Sequence, residues 1–365
     1  MVLELSNLPF PIRYFVCWII MIYMLISTIV VYPTAVCLVY FAGFLVQPFL
    51  SRKTFLHFRS FLARCLNLHF VTLSYFCGVN VSEYGEDMSK YTDERCFLMP
   101  NHLGLIDHFI VMRSCDQYGC DVVGRWMFVI YNIWIYMPLG FLWWIHGNYF
   151  INTVSPSQRA QQLKHFRDHL DETYHNYDYR WVFMYPEGSR LFLIKERNRQ
   201  FEKKNNLENL KHCAYPRVGA ALCVTKQLGP SKNGELANNQ LGKPIKYLID
   251  VTLGYPNAEI LDVQESLMKT LLDGDRRMYA IHYEMFEMKE EWNDEEMLKE
   301  FLFERYRKKD QLLDEYYKTG KFPGPAKIVE YPAAHLMILN EILGCAIFWM
   351  FIKTILFTIF SIFCK

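Results

Sequence analysis

The sequence predicts an α/β fold, a mixed sheet flanked by helices, with membrane helices at the amino and carboxyl ends. Apolar residues make up 52% of the 365-residue chain, and charged residues only 21%. The apolar residues are concentrated, since residues 14–50 contain no charged side chain or histidine and residues 342–364 contain only Lys353. Between these runs, short apolar segments that end at a proline alternate with amphipathic stretches, as strands alternate with helices.

The charge balance and the cysteines exclude several classes of protein. A net charge of +1 provides no global basic field, so we expect no nucleic-acid partner. The eleven cysteines are odd in number and scattered along the chain, which indicates reduced thiols rather than a disulfide framework. The apolar content is too high for a disordered chain.

Residues 1–52 are predicted to form an N-terminal membrane helix or a helical hairpin. A spanning helix needs about 20 apolar residues, and Pro33 divides the apolar run into halves that each reach about 25–28 Å at ~1.5 Å per residue. Both one span with a membrane-lying helix and a hairpin that leaves by the face it entered fit this length. Four basic residues follow directly: Arg52, Lys53, Arg59 and Arg64. By the positive-inside rule, they place the next segment in the cytosol.

Residues 53–290 are predicted to form the α/β domain. Four strands are expected from their apolar, β-branched or aromatic content: residues 95–99, 181–185, 247–253 and 278–286. A helix is expected over residues 157–174, because Leu163, Phe166 and Leu170 form one apolar stripe.

The apolar segment near residues 126–145 allows two interpretations. It is long enough to span a membrane, but the sequence Pro138-Leu139-Gly140 interrupts it. It can instead be the apolar wall of a site that sits on the bilayer. Either interpretation predicts a membrane-associated segment.

The last quarter of the chain is predicted to contain two helical segments. Residues 291–330 form a charged one, in which Asn293 begins a capping box and Gly320 ends the helix. Residues 331–365 form a C-terminal membrane segment. Lys353 near its middle would cost a spanning helix roughly 2.5–3.5 kcal/mol, so a span and an interfacial or re-entrant helix both remain open.

The first candidate for chemistry follows the strand predicted at residues 95–99. It reads N-H-L-G-L-I-D, from Asn101 to Asp107. At a turn from a strand into a helix, the carboxylate of Asp107 can fold back onto His102, accept its Nδ1 proton and leave Nε2 as a base. Alone, this spacing does not separate a catalytic pair from an unrelated core histidine.

The second candidate follows the strand predicted at residues 181–185. It reads Y-P-E-G-S-R, ending at Arg190. Gly188 lets the backbone approach a ligand closely, and the guanidinium of Arg190 suits a phosphate. Glu187 is a second polar partner for a substrate or for Arg190. Alone, the pattern also fits a turn with a structural Glu–Arg pair.

Together, these motifs resemble the signatures of the glycerolipid acyltransferase family, N-H-x4-D and P-E-G-[ST]-R, in the family's order. Two further segments resemble its lysocardiolipin/lysophosphatidylinositol branch. They are an L-x-H-x-x-x-P-R pattern from Leu210 to Arg217 and a D-V-T-x-x-Y pattern from Asp250 to Tyr255. The resemblance covers roughly residues 60–290.

This resemblance implies direct acyl transfer from acyl-CoA, the donor substrate, to the free hydroxyl of a lysophospholipid. His102 would remove the hydroxyl proton, and Asp107 would orient His102. The implied substrate-binding residues are Asn101, Glu187, Gly188, Ser189, Arg190, Arg125 and Arg217. An integral protein of the endoplasmic reticulum membrane is expected, with its active site facing the cytosol and membrane lipids as partners.

One departure from the family concerns the acceptor. Within residues 149–153 the family carries an arginine that helps hold the acceptor's phosphate, and here Asn152 or Thr153 stands in its place. Arg125 or Arg159 is expected to compensate. The acceptor therefore stays open among lysophosphatidylinositol, lysocardiolipin and lysophosphatidate.

Other activities remain open from the sequence. A CoA-independent transacylase or a lipid hydrolase could use the same His–Asp pair, and a non-catalytic membrane scaffold could retain the fold. No bound cofactor or metal is expected. His165 and His169 have a spacing that can bind zinc, but no further ligands complete such a site.

Overall fold

The computed structural model describes residues 9–152, 155–233, 235–236 and 242–363. Within these residues, eight strands form one mixed sheet flanked by helices, which confirms the predicted fold class. The strands are β1 (Val79–Gly85), β2 (Cys96–Pro100), β3 (Trp126–Tyr131), β4 (Tyr149–Ile151), β5 (Trp181–Phe183), β6 (Tyr247–Gly254), β7 (Arg277–Glu287) and β8 (Lys327–Val329). The four strands predicted from the sequence correspond to β2, β5, β6 and β7.

The order of the strands brings the two motifs together. The order is β4-β3-β5-β2-β6-β7-β1-β8. The first five strands in this order are mutually parallel, and β7 is antiparallel to β6. The carboxyl ends of β2 and β5 therefore meet at one edge, where ligands bind in open α/β sheets.

Helices cover both faces of the sheet and continue beyond it at the two ends of the chain. They are α1 (Phe10–Ile26), α2 (Tyr32–Val46), α3 (Arg52–Phe76), α4 (Ile106–Asp116), α5 (Cys120–Val123), α6 (Pro138–His146), α7 (Pro156–Thr173), α8 (Leu191–Lys204), α9 (Val218–Leu228), α10 (Val263–Asp273), α11 (Glu295–Thr319) and α12 (Ala334–Phe363). The predicted helix at residues 157–174 is α7, and it buries Phe166 and Leu170 as expected.

Alternate residues of β2 belong to two apolar cores, one on each face of the sheet. Cys96 and Leu98 of β2 face a core shared with α3, α4 and α10. Phe97 and Met99 face a second core shared with α7, α9 and α11. Since both faces of β2 are buried, its sequence is a continuous apolar run rather than an alternating one.

The apolar segment at residues 126–145 is not a spanning helix. Its first part is β3, which pairs with β5, and α6 begins at Pro138 after a short 3-10 turn. Gly140 allows this close fold, because a Cβ there would lie 1.7 Å from the carbonyl oxygen of Trp134. Tyr136 (84% exposed) and Trp144 (57% exposed) form an apolar outer surface. The interpretation as a single spanning helix is therefore wrong, and the apolar wall on the bilayer stays a prediction.

The N-terminal apolar run does not fold back at Pro33. A π-helical turn at Ser27–Val31 joins α1 to α2, and the backbone stays right-handed helical throughout. The π turn changes the hydrogen-bonding pattern just before the proline, which has no N–H to donate. The hairpin alternative therefore requires a chain reversal that is absent from these described helices.

Among the described residues, two helical stretches are long and apolar enough to cross a membrane by length and composition, Phe10–Phe49 and Ala334–Ser361. Two polar residues of α12, Asn340 and Glu341, contact the rest of the protein. Tyr32 donates to Asn340 at 2.6 Å, and Glu341 lies 2.9 Å from Nδ1 of His69 on α3. Lys353 lies on the exposed surface of the same helix.

The capping prediction for α11 was displaced by one residue. Asp294, rather than Asn293, accepts hydrogen bonds from the backbone N–H groups of Glu296 and Met297. A carboxylate at this position also stabilises the positive end of the helix. Gly320 ends the helix in the left-handed conformation, as predicted.

Candidate active site

His102 and Asp107 form a close pair at the turn between β2 and α4. Nδ1 of His102 lies 2.8 Å from Oδ2 of Asp107. The same oxygen accepts the backbone N–H groups of Leu103 at 2.7 Å and Gly104 at 3.1 Å. Because Asp107 is fully buried and accepts from Nδ1, the proton is on Nδ1 and the lone pair of Nε2 is free to act as a base. The His102 side chain is 15% exposed, so a substrate can reach it.

Tyr255 completes the surroundings of Asp107. Its hydroxyl donates to Oδ1 of Asp107 at 2.6 Å, and the residue is fully buried. Gly104 makes room for this contact, since a Cβ there would lie 3.0 Å from the Tyr255 oxygen. Tyr255 was not predicted as a site residue, although the D-V-T-x-x-Y pattern that it ends was the signal that could have identified it.

Asn101 does not face the substrate space, contrary to its expected binding role. The residue is fully buried, and its amide exchanges two hydrogen bonds with the backbone of Leu253, at 2.7 and 3.2 Å. It therefore ties the end of β2 to the end of β6 and places His102 by way of the backbone.

Glu187 is also a structural residue rather than a substrate ligand. It is 1% exposed, and its two oxygens accept the backbone N–H groups of His102 at 2.9 Å and Ala214 at 3.2 Å. Burial raises the pKa of its carboxyl group to about 8, against the opposing effect of these two donors. Glu187 thus joins three turns through its two carboxylate oxygens.

Gly188 and Arg217 pack against each other beside this turn. Gly188 has a φ of +76°, and a Cβ there would lie 3.2 Å from the Arg217 side chain. Arg217, which precedes α9, donates its backbone N–H to the carbonyl of Pro186 at 2.7 Å. This turn thus brings together four of the predicted binding residues: Gly188, Ser189, Arg190 and Arg217. Gly188 and Arg217 are exposed, whereas Ser189 and Arg190 are half-buried.

Arginines without acidic partners collect on this side of the site. Partial desolvation of its guanidinium, together with the positive charges of Arg197 and Arg159, lowers the pKa of Arg217. Leu163 of α7 lies 3.2 Å from the position of a Cβ on Gly219 of α9, so the first half of α7 neighbours the first turn of α9. Over the described ranges, no carboxylate pairs with any of four arginines: Arg159, Arg190, Arg197 and Arg217. Such a cluster attracts a phosphate.

Arg125 is not brought to the site. It precedes β3, and the next residue, Trp126, is level with the first residues of β5 and β2. Arg125 is therefore at the amino edge of the parallel strands, opposite the edge where His102 lies. Its guanidinium pairs with Asp178 at 3.0 Å and Asp121 at 3.8 Å. Asn152 is exposed just after β4, and Thr153 lies outside the described residues.

An apolar cavity of about 450 Å³ opens beside the catalytic turn. It lies among α1, α2, α3, α4, α6, α10 and β3. Leu105 and His108 line its end nearest His102, and the His102 and His108 ring centroids are 5.9 Å apart. Burial lowers the pKa of His108 to about 4, so the ring is neutral at physiological pH.

No cluster of three or more His, Cys, Asp or Glu side chains suited to a metal is present in the described part of the chain. His169, one of the two histidines with zinc spacing, instead contacts the carbonyl of Gly147 at 2.9 Å. This contact leaves His169 with a structural partner.

The fold and the paired motifs define a class of acyl-transferring enzyme, and the comparisons with known proteins agree. A family model described as the acyltransferase C-terminus matches residues 270–340. A Caenorhabditis elegans protein, acl-12, whose name places it among 1-acyl-sn-glycerol-3-phosphate acyltransferases, is 45% identical over 78% of this chain and 72% of its own length.

Two mammalian proteins are also similar. The mouse acyl-CoA:lysophosphatidylglycerol acyltransferase 1 is 30% identical over 83% of this chain and 82% of its own length. The human protein of the same name is 28% identical over 90% and 87%, respectively. The chain therefore belongs to the glycerolipid acyltransferase family, and it is an acyltransferase.

Proposed function

We propose that this chain transfers an acyl group from acyl-CoA to the free hydroxyl of an anionic lysophospholipid. The observation that carries this proposal is the His102–Asp107 pair, which lies next to His108, a lining residue of the apolar cavity. The acyl chain of acyl-CoA needs an apolar channel, and the hydroxyl of the lysophospholipid needs a base. The site offers both.

The reaction uses His102 first as a base and then as an acid. Nε2 takes the proton of the lipid hydroxyl while the hydroxyl oxygen attacks the thioester carbonyl. The carbon–sulfur bond breaks as the tetrahedral intermediate collapses, and the imidazolium returns the proton to the CoA sulfur. Asp107 holds the ring in place and stabilises its charged form. No covalent enzyme intermediate is needed.

The apolar cavity is suited to the acyl chain of the donor. Its lining is almost entirely aliphatic and aromatic, and Phe109 and Met112 extend it along α4 away from His102. An acyl chain seated there would leave its thioester next to the base. The neutral state of His108 keeps this entrance free of charge.

The arginine cluster is suited to the phosphate of the acceptor. Arg190 and Arg217 flank the turn that supports His102, and Arg159 adds a charge close to the position where the family's second arginine is missing. The acceptors in the names of the similar proteins, lysophosphatidylglycerol and acylglycerol phosphate, both carry a phosphate. We include both in the acceptor set, with lysophosphatidylinositol and lysocardiolipin.

The exposed apolar surface at α6 supports a location on the cytosolic face of the endoplasmic reticulum membrane. The exposed aromatic residues before and within α6 lie on the same end of the sheet as β3 and β4 and can enter the bilayer interface. The basic residues after α2 are consistent with a cytosolic catalytic domain.

Purified protein in lipid nanodiscs, given radiolabelled acyl-CoA and a panel of lysophospholipids, tests the proposal. We expect label in the diacyl product, with the anionic acceptors preferred. Replacing His102 by Ala should reduce turnover by about 10²–10⁴-fold without loss of membrane insertion, and replacing His165 by Ala should change nothing. Equal turnover in the His102 variant rejects the mechanism.

The same assay separates the alternatives. Label that appears only in free fatty acid indicates a hydrolase, and transfer that requires a phospholipid donor indicates a transacylase. Arg190→Ala should raise the KM for the acceptor about tenfold with little change in kcat, because it removes ground-state binding. An unchanged acceptor KM contradicts the phosphate assignment.

A further inference from the structure

We propose that Lys309 and Asp310, neighbours on α11, are positioning residues for His102 and hold the chain on both sides of it. This inference rests on the proposed function, because its main readout is acyl transfer. Lys309 is fully buried and Asp310 is 9% exposed, although both carry ionisable groups. Neither residue touches His102, and each acts through backbone groups.

Lys309 fixes the strand from which His102 projects. Its ammonium donates to the carbonyl of Met99 at 2.9 Å and to the carbonyl of Val251. Met99 is in the last pair of residues of β2, and Val251 is opposite the end of that strand on β6. The lysine therefore joins the two strands immediately before Asn101, and it sets where the catalytic turn begins.

Asp310 fixes the loop that supports the turn from the other side. Its Oδ1 accepts three consecutive backbone N–H groups, at 2.9, 2.6 and 3.3 Å: those of Lys211, His212 and Cys213. The next residue, Ala214, donates to Glu187, whose second oxygen accepts the N–H of His102. A continuous chain of hydrogen bonds thus runs from Asp310 to the backbone of His102.

Stability alone does not account for this arrangement. Apolar side chains of similar volume commonly stabilise a core as well as a buried ion pair does, or better. They cannot, however, hold three backbone N–H groups and two carbonyls in fixed directions. Lys309 is also the cation whose charge favours the ionised form of Glu187. The two residues therefore orient the backbone groups at the catalytic turn, in addition to packing in the core.

Arg305 provides a matched control. It lies one turn earlier on α11, is 2% exposed and binds Asp250, the residue that also pairs with Lys309. Its guanidinium also pairs with the side chain of Glu284 on β7. Loss of Arg305 therefore disturbs the same buried network without removing a bond to the strand end or to the loop that holds His102.

The test compares four variants of the full chain in nanodiscs: Lys309→Met, Asp310→Ala, Asp310→Asn and Arg305→Met. Lys309→Met and Asp310→Ala should lower kcat about tenfold or more, with the KM of both substrates within about twofold, because the base is misplaced but binding is intact. Asp310→Asn keeps an acceptor oxygen and should recover most of the lost kcat. Arg305→Met should lower the melting temperature and leave kcat per folded molecule within about twofold.

A second measurement does not depend on turnover. Diethyl pyrocarbonate modifies accessible neutral histidines, and mass spectrometry gives the rate at His102. That rate should change in Lys309→Met and Asp310→Ala and match the wild-type rate in Arg305→Met and Asp310→Asn. A wild-type protein without transferase activity rejects the proposed function, while these rates still decide the positioning role.

Two results overturn the inference. One is an equal loss of kcat per folded molecule in Lys309→Met and Arg305→Met. The other is a wild-type kcat and modification rate in Asp310→Ala. If Lys309→Met does not fold, the comparison of Asp310→Ala with Asp310→Asn decides the question, because only Asp310→Asn leaves an acceptor oxygen for the loop.

Discussion

At the scale of single residues, the carboxylate of Asp107 accepts more hydrogen bonds than the one from His102. It receives four hydrogen bonds, from the His102 ring, the backbone of Leu103 and Gly104, and the Tyr255 hydroxyl. Together these donors restrict the direction of the two carboxylate oxygens. The tautomer of His102 is consequently fixed before any substrate binds.

The replacement Tyr255→Phe removes one of these four donors. We expect kcat to fall about 5–30-fold, equivalent to roughly 1–2 kcal/mol, since a buried oxygen loses its partner. The KM values should stay near those of the wild type, because Tyr255 lies behind Asp107. Steady-state kinetics with acyl-CoA measure both parameters.

Tyr279→Phe is the control for that experiment. Tyr279 packs against Tyr255, with ring centroids 5.1 Å apart, but its hydroxyl makes no hydrogen bond to Asp107 in the described structure. A similar loss of kcat in both variants would mean that aromatic packing, rather than the hydrogen bond, is responsible.

His108 should not contribute to the pH dependence of the reaction. Burial lowers its pKa to about 4, with the neighbouring charge of His102 acting in the same direction. A lowered pKa means that the ring becomes protonated only below about pH 4, so it remains neutral throughout the usual assay range. His108→Asn should therefore leave the midpoint of the acid limb of kcat unchanged between pH 5 and 8, and a displaced midpoint would show that His108 titrates there.

The sequence identified the polar residues of the site but not the direction in which each side chain points. His102 and Asp107 come together as the strand-to-helix turn predicts. Asn101 and Glu187 were assigned to substrate because of their motifs, whereas both satisfy backbone groups of other segments. Those partners come from Leu253 and Ala214, which are distant in sequence, and no local pattern could reveal them.

At the scale of elements, burial and length decided which parts were predictable. The buried strand β2 ends at Pro100 and β5 ends three residues before Pro186, and both were recognised from the sequence. The edge strands β4 and β8 contain three residues each and are too short to show a periodic pattern. Residues 126–145 were interpreted as one apolar segment, whereas they form β3, a 3-10 turn and most of α6. Hydrophobicity alone does not distinguish a buried strand from a helix.

The cavity between α4 and its neighbouring helices should determine which acyl chains are used. Met112 lines the cavity one turn beyond His108 along α4 and is 8% exposed. Met112→Trp should lower kcat/KM for long-chain acyl-CoA about tenfold relative to short-chain acyl-CoA, because the larger ring blocks the deeper part. Competition between donors of different length gives this ratio.

Met112→Leu is the matched control, since it conserves volume and polarity. It should retain the chain-length profile of the wild type. An unchanged profile in Met112→Trp, in a protein that still folds, would show that the acyl chain lies elsewhere.

At the scale of the whole molecule, the two apolar ends of the chain meet. α12 packs on α2 and α3 through the Tyr32–Asn340 and His69–Glu341 contacts. Gly344 permits the close approach, since a Cβ there would lie 2.6 Å from the Tyr32 ring. The C-terminal helix is therefore bound to the N-terminal helices and the catalytic domain.

A protein that ends at residue 333 should stay in the membrane but become less stable. The apolar stretch Phe10–Phe49 remains, so the protein should resist extraction with alkaline carbonate. Its melting temperature should fall by several degrees, on the order of 2–8 °C per kcal/mol lost, because two buried polar contacts disappear. Recovery in the soluble fraction after carbonate treatment would show that α12 is the principal anchor.

The position of β7 in the sheet has a consequence for synthesis on the ribosome. β7 lies between β6 and β1 and comes from residues 277–287, whereas β1 comes from residues 79–85. β1 therefore lacks its neighbour β7 until some two hundred further codons have been translated, and α11 is synthesised later still. A nascent chain that already displays both motifs should consequently be inert toward lipid until translation is almost complete.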